Sequence, residues 1–138
     1  MNVRKLLSDD PIAQTWSPQI RQTYIVFSQR LANQDPLTIR IGKGGLSYYK
    51  ETQHGAVFVC HFNAAPRAQK SELGFADFRL DTLEAWLDLD ATLQALQEAA
   101  SAEVQVKVNK LWCSLHFPLR QADKVAELFS QHIVSKIK

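Results

Sequence analysis

The sequence predicts a single α+β domain with a mainly antiparallel sheet and with N-terminal, middle and C-terminal helices packed on one face. Three observations support this class. A helical pattern begins at Ser17-Pro18, alternating or β-branched stretches follow between Leu37 and Asn63, and an amphipathic stripe closes the chain after Val125. With 138 residues, 46% of them hydrophobic, the chain is long enough to bury its own core as one domain.

The first helix is predicted over Pro18–Ala32. Ser17 supplies an N-capping hydroxyl, and Pro18 is favourable at the first helical position. The helix should end before Asp35-Pro36, because proline disfavours helical geometry in the residue that precedes it. Its apolar stripe consists of Ile20, Tyr24, Phe27 and Leu31. Residues 1–16 show no comparable pattern, and a loosely ordered N-terminal segment is one interpretation of them.

A hairpin and a further strand are predicted next. Alternating residues over 37–41 meet the turn Gly42-Lys43-Gly44-Gly45, and the return strand covers 46–50. Three of the chain's five glycines lie in that turn, as a tight reversal with positive φ requires. A run rich in β-branched and aromatic residues then predicts a strand over 56–63, followed by a loop over 64–71.

The second half alternates between strands and helices. A strand over 72–80 should contain a bulge near Ala76-Asp77, because its apolar residues change parity there. A capping box from Asp81 to Glu84 and a cap at Asp90 predict helices over much of 82–102. Strands on either side of a bulge or tight turn at Asn109-Lys110 follow, ending at Pro118. The final helix carries Val125, Leu128, Phe129, His132, Ile133 and Ile137.

The composition limits the class of protein. Two cysteines are too few for a disulfide scaffold, and the apolar stretch after Arg4 and Lys5 is too short for a signal peptide. No apolar run approaches membrane-spanning length. We therefore expect a cytoplasmic protein without a membrane partner. The net charge of +2 divides into basic ends and an acidic middle, a pattern typical of ordinary solvated surfaces.

Strand parity predicts the side chains that face away from the helices. Cys60 alternates in step with Phe62, and Cys113 with Phe117, so both thiols should lie in the core. The opposite parity predicts an open face that carries Val57, Val59, His61, Trp112, Ser114 and His116, with Tyr48 or Tyr49 joining them according to register. A ring, two imidazoles and a hydroxyl suit a groove for a small ligand or a homodimer interface. The alternative is that a terminal segment covers this face as a second small core.

Metal and catalytic sites have weaker support. Cys60-His61 and Cys113-x-x-His116 resemble ligand pairs, but neighbours and residues three apart point to opposite faces of a strand. We therefore predict no metal site and no cofactor. The stretch 42–47 lacks the spacing and the following helix of a phosphate-binding loop. No catalytic motif occurs, and His61 or His116 would act with Ser114 only if a third group oriented the imidazole, so an enzyme is not the favoured interpretation.

Nucleic-acid binding through the first hairpin is an alternative. This hairpin interleaves basic and aromatic side chains, as stacking platforms do, at Arg40, Lys43, Tyr48, Tyr49 and Lys50. Against it, adjacent tyrosines point to opposite faces of a strand, and the overall basicity of the chain is slight.

The order of the elements and two short stretches resemble the YdhG-like family of small α+β domains. The stretches are Ala56-Val57-Phe58-Val59-Cys60-His61-Phe62 and Leu115-His116-Phe117-Pro118-Leu119, and the resemblance covers residues 18–135. One branch of that family is similar to frataxin-type iron carriers, so the resemblance implies iron carriage as a further alternative. Exposed carboxylates would serve that role, and the candidates, which helix capping explains equally well, are Asp81, Glu84, Asp88 and Asp90.

The interpretation that the sequence favours is a small, non-catalytic binding or interaction module that uses the open face of its antiparallel sheet. Its ligand is unknown, and a homodimer built on the same face is a further possibility within this interpretation. Nucleic-acid binding and iron carriage are the alternatives.

Overall fold

The computed structural model describes residues 2–33, 35–64 and 72–138 of the chain. It confirms the α+β class, with helices on one side of an antiparallel sheet. The helices are α1 (Val3–Asp9), α2 (Pro18–Ala32), α3 (Leu80–Leu83), α4 (Leu89–Ala99) and α5 (Ala122–His132). The strands are β1 (Leu37–Gly42), β2 (Gly45–Thr52), β3 (Gly55–Asn63), β4 (Leu73–Arg79), β5 (Gln105–Asn109) and β6 (Trp112–Pro118). Short 3-10 turns occupy Ala13–Thr15, Leu119–Gln121 and Val134–Lys136.

Within the described residues the strands form one sheet in the order β1-β2-β3-β4-β6-β5. Every neighbouring pair is antiparallel. After β4, the helices α3 and α4 carry the chain away from the sheet, and it returns as β5 at the edge and β6 beside β4. Residues that are far apart in sequence therefore meet near the centre of the sheet, where Asp77 pairs with Ser114.

One face of the sheet and the helices enclose the hydrophobic core. Phe62 lies near its centre, with ring centroids 4.2 Å from Phe27, 5.3 Å from Tyr24 and 5.7 Å from Phe117. Alternate residues of the central strands are fully buried there, namely Leu46, Tyr48, Cys60, Phe62, Ala76, Phe78, Cys113, Leu115 and Phe117. The two thiols are therefore core groups, as strand parity predicts.

Two tyrosine hydroxyls are buried in this core and both are hydrogen-bonded. The hydroxyls of Tyr48 and Ser28 are 2.7 Å apart, and the Tyr24 hydroxyl accepts a 2.9 Å hydrogen bond from the backbone N–H of Ala64. Burial raises the pKa of Tyr24 to about 12, although the hydrogen bond from Ala64 opposes the shift. Burial also raises the pKa of Tyr48 well above its ordinary value. Both side chains thus remain neutral over the physiological pH range.

The predicted first helix and hairpin are confirmed. The Ser17 side chain caps α2 by accepting a hydrogen bond from the N–H of Ile20. β1 and β2 pair in register on either side of a Lys43-Gly44 turn. Gly45 has a φ of 125°, and a Cβ there would collide with the carbonyl oxygen of Phe62, so this position requires glycine.

The N-terminal segment forms a short helix and a 3-10 turn that pack against the rest of the described chain. Residues 3–9 form α1, which Asn2 caps by accepting a hydrogen bond from the N–H of Lys5. The apolar side chains of α1 lie about one helical turn apart, on the side that packs against α2, and they join the core. The buried side chains of this segment are Val3, Leu7, Ala13 and Trp16.

The bulge predicted near Ala76-Asp77 is wrong. β4 pairs with β6 without interruption from Leu73 to Arg79. The parity change has another cause, since Leu73 and Phe75 are half-buried on the face away from the helices, whereas Phe78 lies in the core. Leu80 already belongs to α3 rather than to the strand.

The predicted helix caps in the middle of the chain are displaced. α3 starts at Leu80 after Arg79, so Asp81 lies inside its first turn and pairs with Arg79 instead of capping. Asp88, not Asp90, caps α4 by accepting a hydrogen bond from the N–H of Ala91. At the C-terminus, α5 ends at His132 and a 3-10 turn brings the buried Ile137 back to the core.

The turn predicted at Asn109-Lys110 is confirmed, with Lys110 at a φ of 53° between β5 and β6. The predicted loop over 64–71 lies outside the described residues except for Ala64, which is buried.

Candidate functional site

A register shift between β2 and β3 decides which side chains the open face carries. Tyr48 pairs with Cys60 and the next residue, Tyr49, pairs with Phe58, so Val59 is the extra residue of a β-bulge. Phe58 consequently lies beside Tyr49 on the open face. The prediction that Val57 and Val59 line this face is wrong, because Val59 is fully buried in the core and Val57 pairs with Lys50 and packs against the core.

A line of polar side chains crosses the open face from one edge of the sheet to the other. Each member pairs directly with the next, so their side chains share one face. We call this line the polar row, and in spatial order it consists of Arg40, Ser47, His61, Asp77, Ser114 and Lys107. Its two ends are cations on the edge strands β1 and β5.

A second line of side chains lies beside the polar row and is aromatic. The ring centroids of Tyr49 and Phe58 are 5.6 Å apart, and those of Phe58 and Trp112 are 6.3 Å apart. We call these three rings the aromatic row. A guanidinium lies over each outer ring: Arg40 is 4.6 Å from the Tyr49 centroid, and Arg79 is 5.3 Å from that of Trp112. These distances are those of cation–π contacts.

His61 is fixed on both sides within the polar row. Its Nε2 is 2.9 Å from the carbonyl oxygen of Gly44, and its Nδ1 is 3.0 Å from the Ser47 hydroxyl. A carbonyl oxygen only accepts hydrogen bonds, so in the neutral ring the proton lies on Nε2 and the Ser47 hydroxyl donates to Nδ1. The imidazole is thus held in one tautomer, and it ties the β1–β2 turn to β3.

Asp77 occupies the centre of the polar row. The hydroxyl of Ser114 donates a hydrogen bond to Oδ1 of its carboxylate. Asp77 is the acidic member of the row, and it pairs across the sheet with His61 on one side and Ser114 on the other.

Arg79 is oriented by a neighbouring carboxylate. Its Nε and Nη2 atoms each donate a 2.9 Å hydrogen bond to Asp81. These bonds raise the pKa of Arg79 and lower that of Asp81. The two-pronged contact holds the guanidinium plane against the indole of Trp112.

His116 lies one position beyond the polar row on β6. Its ring meets the ring of Phe75 edge to face, with centroids 4.8 Å apart. Partial burial lowers the pKa of His116, the nearby Lys107 lowers it further, and Asp77 opposes the shift. The imidazole is therefore favoured in its neutral form.

The open face is accessible along its whole width in the described part of the chain. None of the side chains of the polar and aromatic rows is fully buried. At the β5–β6 end, Trp112 on this face is 39% exposed and Leu111 in the adjoining turn is 48% exposed. The predicted site residues His61, Trp112, Ser114 and His116 all lie on this face, and the predicted Val59 does not.

The residues predicted for nucleic-acid binding by the first hairpin do not share a surface. Arg40 and Tyr49 lie on the open face, and Lys43 is exposed in the turn. Tyr48 is fully buried. The Lys50 ammonium turns towards the helices, where it donates hydrogen bonds to Asp35 at 3.2 Å and to the Val134 carbonyl at 2.9 Å.

The described residues contain no group of three or more His, Cys, Asp and Glu side chains arranged to hold a metal ion. In both Cys–His pairs that resemble ligand pairs, the thiol is in the core, while His61 and His116 lie on the open face. Burial, reinforced by the Asp77 charge, raises the pKa of Cys113 to about 12 and that of Cys60 well above its ordinary value. This disfavours the thiolate that a metal would need.

No protein-family model, no curated protein and no solved structure matches the chain. In the part of the chain that the structure describes, no helix is both long and apolar enough to cross a membrane.

Sequence patterns did not identify four members of the two rows, or the arginine that lies over Trp112, as site residues: Ser47, Phe58, Asp77 and Lys107, with Arg79. For Lys107 the sequence does contain a signal, because it alternates with Val106 and Val108 in β5 and so lies on the opposite face from them. The other four depend on the pairing of distant strands and on the bulge at Val59.

Proposed function

We propose that the protein is a non-catalytic binding module whose open face holds a flat, aromatic ligand that carries negative charge. The observation that carries this proposal is the aromatic row with an arginine over each outer ring. Rings exposed on a sheet offer surfaces on which a flat group can stack, and Arg40 adds positive charge at one end, whereas Asp81 balances the charge of Arg79 at the other.

The polar row supports the same proposal. Successive residues on one face of a strand are about 7 Å apart, so the polar row runs parallel to the aromatic row at about that separation. A ligand with a ring on one row would place an attached anionic group near the other. The cations at the two ends of the polar row, Arg40 and Lys107, supply charged partners for such a group.

Adenosine 5′-monophosphate is a suitable probe, because it joins a flat ring to a phosphate. We expect a ¹H–¹⁵N NMR titration to shift backbone signals of residues on the open face. The paired change Phe58→Ala and Trp112→Ala should weaken binding about thirtyfold or more, because it removes two stacking contacts that are each worth about 1–3 kcal/mol.

Trp86→Ala is the matched control, since Trp86 is a half-buried aromatic residue that packs against the core outside the two rows. It should leave the affinity for the nucleotide unchanged. Absence of binding at millimolar nucleotide, or shifts restricted to the helices, would overturn the proposal.

A second candidate function is nucleophilic catalysis by Ser47. It is favoured by the 3.0 Å contact between the Ser47 hydroxyl and His61 Nδ1, with the imidazole oriented by Gly44. In such a reaction, Ser47 Oγ would form a bond to an acyl carbon, Nδ1 would take the hydroxyl proton, and the leaving group would depart with that proton. Hydrolysis of p-nitrophenyl acetate that Ser47→Ala abolishes would support this function. Equal rates in both proteins would remove it.

We also propose a cellular location and consider a second copy of the chain as a partner. Two buried, free thiols suit a reducing compartment such as the cytoplasm. A homodimer through the open face is the main rival to ligand binding, because the exposed Trp112 and Leu111 suit a protein interface as well. The resemblance to the YdhG-like family stays a prediction.

A further inference from the structure

We propose that the ligand of the open face is single-stranded RNA, which crosses the strands with its bases on the aromatic row and its backbone on the polar row. This inference rests on the proposed function and specifies its ligand. It differs from the hairpin interpretation, because the contact surface spans the whole sheet instead of β1 and β2.

The width of the polar row favours a chain over a mononucleotide. Six strands separated by about 4.8 Å place Arg40 and Lys107 about 24 Å apart. One nucleotide is too small to reach both cations, whereas a strand of several nucleotides passes over both. A polyanion that crosses the sheet along the polar row could contact the cations at both of its ends.

The aromatic row suits unpaired bases. Tyr49, Phe58 and Trp112 present three rings on one face with neighbouring centroids 5.6 and 6.3 Å apart and ring planes inclined by 57° and 76°, so each ring would stack with a base of its own. Stacking on such rings requires bases that are free of a duplex and tolerates any base, because every base has a π face. Duplex nucleic acid cannot offer its bases to a flat sheet in this way.

The acidic centre of the polar row distinguishes RNA from DNA. Asp77 would repel a phosphate that lay directly above it, but its carboxylate can accept a hydrogen bond from a hydroxyl besides the one that Ser114 donates. A ribose offers a 2′-hydroxyl at that position and deoxyribose does not. Phosphates would then lie towards the two cationic ends.

The charge near the two rows agrees with this assignment. Arg79 and Asp81 balance each other as an ion pair, which leaves Arg40 and Lys107 against Asp77 and one net positive charge. Exposed lysines extend the positive charge into the two hairpin turns, with Lys43 between β1 and β2 and Lys110 between β5 and β6.

The test is fluorescence anisotropy of a labelled oligouridine of about ten nucleotides, which falls within the usual site size of single-strand binders. We expect binding that weakens as salt rises from about 50 to 200 mM. The double variant Arg40→Ala and Lys107→Ala should lower affinity about tenfold or more at low salt. Its slope of log K against log salt should be shallower by about 1.4, because two phosphate contacts on a single strand are lost.

The matched control is Arg30→Ala with Lys124→Ala, which removes the same charge from exposed positions on α2 and α5. It should bind as the wild type does. Equal losses in the two double variants would overturn the inference, since attraction would then depend on net charge alone. A weaker response to the deoxy oligonucleotide is expected, and Asp77→Ala should remove that preference.

Failure of this inference is distinguishable from failure of the proposed function. If adenosine monophosphate binds the open face but oligouridine binds no more tightly than a dinucleotide, the face holds a small ligand and the RNA assignment is wrong. If a duplex of the same sequence binds as well as the single strand, stacking on the aromatic row is not the mode of binding. If no probe reaches the face, both proposals are wrong.

Discussion

The two faces of the sheet use similar residue types for different ends. On the inner face, Phe62 and Tyr24 are fully buried, and each tyrosine hydroxyl finds its partner inside the protein. On the open face, Phe58 and Trp112 form a row at the surface beside arginines and serines. Stability explains the inner set completely. It does not explain why large rings and cations are combined on a face that no described helix covers, whereas the ligand binding that we propose would explain it.

The contrast also concerns polar groups. Inside, Ser28 and Tyr48 satisfy each other at 2.7 Å. On the open face, the two cations of the polar row, Arg40 and Lys107, lie on edge strands. Each of them therefore has a neighbour from the row on one side only. Inner polar groups therefore specify the fold, whereas outer ones remain available for intermolecular contacts.

The largest expected effect is a difference between the two faces in how far the loss of one ring lowers the free energy of unfolding. Phe62→Ala should lower the free energy of unfolding by about 3–5 kcal/mol, because it leaves a cavity among Phe27, Tyr24 and Phe117. Phe58→Ala removes the same ring from the half-buried open face and should cost clearly less. Urea denaturation followed by circular dichroism measures both. Similar losses would mean that the open face is part of a core in solution.

Alkaline pH should destabilise the protein through the inner face. The unfolded chain loses the Tyr24 proton near pH 10, whereas the folded protein retains it up to about 12. The unfolded state therefore binds fewer protons between these values, and stability falls as pH rises through that window, by up to about 3 kcal/mol. Thermal melts at pH 9 to 11 check this. Tyr24→Phe should flatten the decline, and an unchanged slope in that variant would contradict it.

A smaller effect concerns binding and belongs to the open face. Trp112→Ala should reduce the affinity for adenosine monophosphate by about tenfold, or about 1.4 kcal/mol, while the unfolding midpoint changes little. The reason is that Trp112 is 39% exposed and contributes less burial than a core ring. Isothermal calorimetry and a denaturant titration on the same sample separate the two quantities. Loss of stability without loss of affinity would show that Trp112 contributes to folding and not to binding.

The smallest effect should appear at acid pH. The pKa of His116 is lowered in the folded state, so as pH falls below about 6.5 the unfolded chain takes up the proton first and stability declines. His116→Gln should remove this contribution while retaining the size and polarity of the side chain. The measurement is the difference in unfolding midpoint between the two proteins at pH 7.5 and pH 5.5. A constant difference would show that His116 does not contribute to the pH dependence.

Local patterns predicted the fold well because its signals are local. The Ser17-Pro18 start, the glycines of the first turn and the stripe after Val125 each act within a few residues. Parity in β6 depends only on alternation, so Trp112, Ser114 and His116 were placed correctly on the open face.

The site was predicted incompletely because its geometry depends on contacts between distant strands. The bulge at Val59 exchanges Val59 for Phe58 on the open face, and no residue type in that run marks it. Asp77 meets His61 and Ser114 only through the strand order, which alternation cannot specify. The parity change in β4 was assigned to a bulge, although it arises from Leu73 and Phe75 on the open face.

The central claim, that the open face is free to bind a ligand, is tested most directly by the solution mass from light scattering at several concentrations, for wild type and for Trp112→Ala. We expect the mass of one chain for both proteins at every concentration. A wild-type dimer that dissociates in Trp112→Ala would show that a second copy of the chain covers the face, and would contradict the claim.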